Sequence, residues 1–390
     1  MNLPLAAPKA RHAAAATGAA LLLSACQPVA LSGPSIGPEI DPGQPVPVAL
    51  LVPQGAGGAE AQIAASLTNA AKLAASDVKG ARIDLRVYDS GTSAGSAAAA
   101  AQKAVDAGAK IIVGPLHAEA ANGAGAAVLG EGVNVLAFSN NPAVAGGNVY
   151  VLGSTFDNTA NRLVRYARSQ GKPRIFLATG DDTPGQAAGA AVEGAIARNG
   201  ARLAGKQVHS LSVEGVNAAA AQVAAAAKAG QADAVMLTAD PFGALPFMLK
   251  ALSDQGVTSG STQFVGLTRW DASSAILSNP AAQGAWIALP DPAVNSQFAA
   301  RYRAAYGAEP HALAGLGYDA VAAIGALAAK GKRNALTTAG LTTGAGFKGV
   351  AGNFRLLPGG TNQRALAVAQ VRGNQIVVVD PAPRGFGAGF

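Results

Sequence analysis

The side chains able to do chemistry in this 390-residue chain are few and far apart. It has four histidines and one cysteine. His117, His209 and His311 lie far from one another in sequence, and none has a ligand-type residue one helical turn away. A metal site needs three or four such donors converging, so no metal is expected. "GTSAG", Gly91 to Gly95, matches the G-x-S-x-G nucleophile turn. A hydrolase built on Ser93 would need an acid and a base, and Asp181 or Asp182 with His209 or His311 supplies the types. A serine between a strand and a helix is also the ordinary residue for starting the helix. "QGAGG" (54–58) follows an apolar run and resembles a phosphate-binding turn, but Glu60 follows Ala59 and no glycine closes the motif. Its backbone N–H groups, at Gln54 and Gly55, remain able to meet an anion. Gly344 to Gly349 fits the same glycine spacing but precedes a hairpin, so it reads as a loop. No cofactor is implied, and the chain reads as acting by binding, not catalysis.

The one cysteine, Cys26, follows an apolar run. Lys9, Arg11 and His12 form a positive start, and "AAAATGAALLL" (13–23) is too short to span a hydrocarbon layer of about 30 Å. Leu23-Ser24-Ala25-Cys26 resembles a bacterial lipobox. That resemblance implies diacylation of the Cys26 sulfur and cleavage before it, and several acyl chains give stable anchoring. Gln27 after the cysteine permits outer-membrane sorting in lipoproteins of this kind, which places the folded part in the periplasm. "QPVALSGPSIGPEIDPGQP" (27–45), rich in Pro, Gly and Ser, reads as a flexible tether.

Composition narrows the remaining choices. Half the residues are hydrophobic and only 13% are charged, so a large core is expected. The formal charge is +7; without Lys9 and Arg11 the 29 basic residues become 27 against 22 acidic ones. The cations are scattered without interleaved aromatics, which argues against nucleic acid.

The elements that must position any site alternate regularly. "VPVALLV" (46–52) is a continuous apolar run, the mark of a strand covered on both faces. Helix 59–77, strand 81–90, helix 94–108, strand 110–116 and strand 133–139 follow. The alternation restarts with "PRIFLATG" (173–180), "ARLAGKQVHSL" (201–211), "ADAVMLTA" (232–239) and "TQFVGLT" (262–268). Two series of this kind predict two mostly parallel, doubly wound α/β sheets with a cleft at the carboxyl ends of their strands. The expected division is 46–156 for the first lobe, completed by 284–329, and 157–283 for the second, completed by 333–382. Crossings are expected near 153–157, 281–292 and 329–348. Gly373-Asn374 between two apolar runs signals a closing hairpin.

In order and spacing, "VPVALLVPQGAGGAEA", "KIIVGPLHAEAA", "GVNVLAFSNNPAV", "ADAVMLTADPFGALPFMLKALSDQG", "AQGAWIALPDP" and "GLGYDAVAAIGAL" resemble the type I periplasmic-binding fold, specifically the leucine/isoleucine/valine-binding-protein family. The resemblance runs from about 46 to 380. It implies cleft residues at Gln54 and Gly55, at His117 and Ala118, at Ser139, Asn140 and Asn141, at Thr183, at Asp240, and at Thr268 and Trp270. The hydroxyls that receive an amino-acid carboxylate in that family are replaced after the third strand by His117, Ala118 and Glu119. Thr183 stands where an aromatic is usual. The acid that meets the ligand ammonium is missing at Thr268, with Asp271 three places on and Asp240 as another substitute. Trp270 either stacks on a ring or packs the hinge. Two functions fit the family. One is an activator lipoprotein of penicillin-binding proteins in peptidoglycan synthesis, the reading the lipobox and the altered cleft favour. The alternative is a lipid-anchored receptor handing an amino acid or related solute to an ABC permease.

Overall fold

The structure is a computed structural model that describes Met1 and residues 37–387. The Cys26 reading and most of the tether lie outside the described residues. Among the described residues, no helix is long and apolar enough to cross a membrane.

The first lobe is built on a five-stranded parallel sheet. In chain order its elements are β1 (Val46–Val52), α1 (Gly58–Asp77), β2 (Ile83–Asp89), α2 (Ala94–Asp106), β3 (Ile111–Val113), α3 (Ala118–Val128), β4 (Asn134–Ala137) and β5 (Val149–Val151), with sheet order β2-β1-β3-β4-β5. Register runs Val48 to Ile111, Ile111 to Asn134 and Val135 to Val149. β1 is uniformly apolar because helices cover both faces. Val48, Leu50 and Val52 point to one core, while Ala49 and Leu51 point to the other, against the alanines of α2 and α3. Those small residues let the two helices approach closely: a Cβ on Gly123 would stand 2.1 Å from Ala94 O.

The second lobe follows as α4 (Phe156–Ser169), β6 (Arg174–Gly180), α5 (Thr183–Arg198), β7 (Arg202–His209), α6 (Val213–Lys228), β8 (Ala234–Leu237), α7 (Leu245–Asp254), β9 (Gln263–Gly266), the short α8 (Ser274–Leu277) and β10 (Trp286–Leu289). α9 (Pro292–Tyr306) and α10 (Ala314–Ala328) then return to the first lobe, where α10 covers one sheet face beside α1. The short α11 (Thr338–Leu341) and the hairpin β11 (Phe354–Leu356) and β12 (Asn362–Arg364) follow. β13 (Ala367–Arg372) and β14 (Gln375–Asp380) finish the second sheet, whose order is β14-β13-β10-β9-β8-β6-β7. β13 runs antiparallel to β10, and the β13–β14 hairpin turns at Gly373-Asn374, where both residues have positive φ.

Two boundaries differ from the expected division. Trp286–Leu289, expected with the first lobe, pairs with β9 and β13 in the second sheet. Residues 333–356, expected with the second lobe, place Leu336, Leu341, Phe347, Phe354 and Leu356 in the first lobe's core. The last crossing therefore falls at 365–366 instead of 329–348. A buried apolar run announces a strand, but not the sheet that will accept it.

The crossings are tied together by buried polar groups. Asn362 Nδ2 donates to Val151 O (2.7 Å) and Gly153 O (2.9 Å), and Asn158 Nδ2 donates to Asn362 Oδ1 (2.8 Å). Arg364 and Asp319 form an ion pair at 3.1 Å with side chains 1% and 0% exposed. Arg364 Nε also donates to Leu152 O (2.9 Å), Nη1 to Ala351 O (3.2 Å), and its guanidinium lies 4.9 Å from the Phe354 ring centre. Burial pushes the Asp319 carboxyl up, and the Arg364 charge pulls against that shift. Removing one partner of a buried pair costs about 3–5 kcal/mol. Asp319→Ala is expected to lower the unfolding free energy measured in urea by that amount, and Asp319→Leu combined with Arg364→Met to lose less than Asp319→Ala alone.

Candidate functional site

A cavity of about 420 Å³ opens between the lobes, within the size range of small-molecule sites. The first lobe supplies Glu60 and Ile63 from the start of α1, Leu116 and His117 after β3, Phe138, Ser139 and Asn140 after β4, Gly153 and Ser154 after β5, and Ala312, Leu313 and Leu316 around the start of α10. The second lobe supplies Arg269 after β9 and Pro290 after β10. Ala351 and Arg364 come from the segment leading into the last crossing. The strand-end positions follow from the topology, since parallel strands deliver their loops to one edge.

Two glycines permit these loops to meet. Gly114 has φ +88°, and a Cβ there would stand 2.1 Å from Leu51 O, so glycine lets the chain turn over β1 and present Leu116 and His117. At Gly153 a Cβ would stand 2.6 Å from Ser139 O and 2.8 Å from Asn140 Cα. The wall after β4 thus lies directly on the first crossing.

The polar groups of the cavity are mostly in pairs. His117 Nε2 lies 3.0 Å from Glu60 Oε2, with both side chains about one-third exposed (37% and 35%). Arg269 donates from Nε to Asp271 Oδ1 (2.7 Å) and from Nη2 to Asp271 Oδ2 (2.5 Å). Ser139 Oγ accepts from the Asn141 N–H (3.1 Å). Arg364 Nη2 is buried without a hydrogen-bond partner.

Of the residues nominated from sequence, His117, Ser139 and Asn140 line this cavity. Ala118, beside His117, begins α3 and is not among the lining residues. Asn141 is exposed and its Oδ1 caps the turn at 142–144. Gln54 and Gly55 sit beyond β1, outside the cavity, where the Gly55 N–H donates to Asp89 Oδ2 (3.1 Å) and the Gly91 N–H to Asp89 Oδ1 (3.0 Å). The expected anion turn thus already holds a carboxylate of its own chain. Thr183 is exposed at the start of α5, where Asp182 makes the cap to the Gly185 N–H. Asp240 Oδ1 accepts from the Phe242 N–H (2.8 Å), and Thr268 Oγ1 donates to Ala239 O (2.9 Å). Trp270 is fully buried in the second lobe's core over Gly266, where a Cβ would lie 2.4 Å from the indole. Ser93 caps α2 by accepting from the Ser96 N–H and has Ser96 Oγ as its side-chain neighbour (2.9 Å). His209, on the second lobe, is buried.

Sequence reasoning missed Arg269, Arg364, Ser154 and the apolar wall. Arg269 stood beside two nominated residues, in "LTRWD". Glu60 was notable only for interrupting a glycine motif, although an acid in a helix's first turn is favourably placed against the helix dipole.

The family model for periplasmic binding protein matches residues 45–375. The chain belongs to the periplasmic binding protein family. Solved structures agree on the fold. One is a putative branched-chain amino acid ABC transporter protein from Rhodospirillum rubrum, at TM-score 0.73 and 20% identity, covering 86% of this chain and 100% of that one. A second is a branched-chain amino acid ABC transporter periplasmic ligand-binding protein from Burkholderia xenovorans, at 0.67 and 19%, covering 87% and 94%. A third, an ABC transporter solute-binding protein from Rhodopseudomonas palustris in complex with 3,4-dihydroxybenzoic acid, has TM-score 0.57 and 18% identity, covering 87% and 97%. No curated protein matches the chain. The two-lobed, mostly parallel α/β architecture expected from the sequence is the one observed.

Trp270 packs the core and does not face the cavity, so Trp270→Ala is expected to destabilise the fold by about 3–5 kcal/mol, as for other large-to-small core changes. A urea midpoint that does not move would contradict this placement.

Proposed function

We propose that this protein is a solute receptor of an ABC transporter, held in the bacterial envelope by lipid on Cys26. The observation that carries the reading is the cavity itself. It is small, bordered by loops from both lobes, and sits at strand ends where a change in lobe separation alters its walls. A ligand touching both lobes favours the closed arrangement by its difference in affinity between open and closed states. Of the structures of similar fold, one is named as a periplasmic ligand-binding protein of a branched-chain amino acid ABC transporter, and a solute-binding protein of an ABC transporter holds an aromatic acid. The activator of penicillin-binding proteins, favoured from sequence, has no support from the cavity or the similar structures, and the receptor is the better reading. The anchor rests on the Leu-Ser-Ala-Cys pattern at 23–26 after a short apolar run.

A metabolite panel read by thermal shift tests the receptor. A true ligand at a hundredfold excess over its Kd adds about 2.7 kcal/mol to stability. Gly153→Ala pushes the Ser139–Asn140 wall off the crossing and is expected to abolish the shift. A panel without any stabiliser would count against the receptor. For the anchor, Cys26→Ser is expected to leave the membrane fraction or to accumulate unprocessed. Unchanged fractionation and unchanged acyl labelling of that variant would refute lipidation.

A further inference from the structure

We infer that the cleft selects an organic acid with an apolar body and no ammonium group beside its carboxylate. The inference rests on the receptor reading and concerns which charges the cleft can accept. An α-amino acid brings two charges, and each loses water on binding. A buried ammonium without a carboxylate partner is strongly disfavoured. Among the described residues Glu60 is the only acid lining the cavity, and His117 already holds its Oε2 at 3.0 Å. The neighbouring acids are also engaged. Asp271 has both oxygens on Arg269. Asp319 is fully buried, with Oδ2 on Arg364 and Oδ1 accepting from the Val350 N–H (2.6 Å).

Donor capacity points the other way. Arg269 uses Nε and Nη2 on Asp271, leaving Nη1 for a second acceptor. Arg364 lines the cavity and keeps its buried Nη2 without a partner. Asn140 and the hydroxyls of Ser139 and Ser154 lie on the opposite wall and add neutral donors. Charge-assisted bonds of a guanidinium to a carboxylate are about twice as strong as neutral ones, so the ligand's acid group belongs at Arg269. Ile63, Leu116, Phe138, Leu313 and Leu316 then offer an apolar wall for the remainder. An acid whose α-carbon bears a carbonyl or hydrogens suits this arrangement, because its neutral end asks only for donors.

Matched pairs decide the matter. Calorimetry on the full chain would compare alanine with pyruvate, leucine with 4-methyl-2-oxopentanoate, and phenylalanine with phenylpyruvate. Each pair keeps the skeleton and exchanges the ammonium for a carbonyl. The expected result is a best-fitting oxo acid bound at least tenfold more tightly than its amino acid. Arg269→Ala is expected to weaken that acid at least tenfold and to narrow the gap, because it frees the Asp271 carboxylate for an ammonium. Arg269→Lys, which keeps the charge, is expected to recover part of the affinity. An amino acid bound as tightly as its oxo acid overturns the inference and leaves the receptor intact. Silence from every pair and from a wider metabolite panel removes the receptor reading, and the inference with it.

Discussion

The fold turns on a buried ion pair. A guanidinium out of water is tolerated only when most of its donors find acceptors of suitable geometry. Arg364 meets Leu152 O at the first crossing, Asp319 on α10, and Ala351 O in the loop before β11. One side chain therefore joins three segments far apart in sequence and fixes the start of the last crossing. Asn362 and Asn158 extend the same network: Asn362 bonds Val151 and Gly153 of the first crossing and accepts from Asn158 at the start of α4, so the first and last crossings are bonded to each other. Arg162 performs the matching task on the second-lobe side, donating to Leu366 O (2.6 Å) and to Asp380 (2.8 Å). The lobes are joined by three short crossings, near 153–155, 290–291 and 365–366. Hinges of this kind are short by necessity, since packed cores do not deform continuously.

The unusual abundance of alanine and glycine is consistent with this economy of space. A buried alanine removes less apolar surface than a leucine, at about 25 cal/mol for each Å². What it permits in return is close approach. α2 and α3 meet through alanines and Gly123, and Gly325 sits where a Cβ would lie 2.3 Å from Val78. At Gly153 and Gly114 the same permission serves the cavity, because loops that carry polar groups are drawn onto neighbouring backbone.

What could be read from the sequence divides along physical lines. The inner strands β1, β3, β4, β6, β8 and β9 were visible because helices cover both faces and make them largely apolar, whereas β5 at a sheet edge was not expected. His117, Ser139 and Asn140 were nominated through the family resemblance, which places these strand ends at the cleft. β10 and the stretch from Leu336 to Leu356 were assigned to the wrong lobe because partner choice is settled by contacts distant in sequence. Trp270 illustrates the limit at a site. Its neighbour Arg269 faces the cavity while the indole turns into the core, and nothing in "TRWD" distinguishes the two. Arg364 was illegible for a related reason: its role comes from acceptors on three other segments, none of them near it in sequence.

The electrostatics of the cleft follow from the same arrangement. Each acid in or beside the cavity is paired, and each pairing serves the protein's own geometry. Glu60 and His117 link α1 to the loop after β3, Asp271 steadies Arg269, and Asp319 holds the crossing. A partly exposed pair such as Glu60–His117 contributes only about 0–1 kcal/mol to stability, so its larger consequence is to occupy one of the two carboxylate oxygens a ligand could use. The remaining donors lie on both sides of the opening, Arg269 on the second lobe and Ser139, Asn140 and Ser154 on the first. An anionic group placed between them makes bonds to both lobes only when the lobes approach. Its binding energy is then greater in the closed arrangement than in the open one, and that difference is what shifts the population.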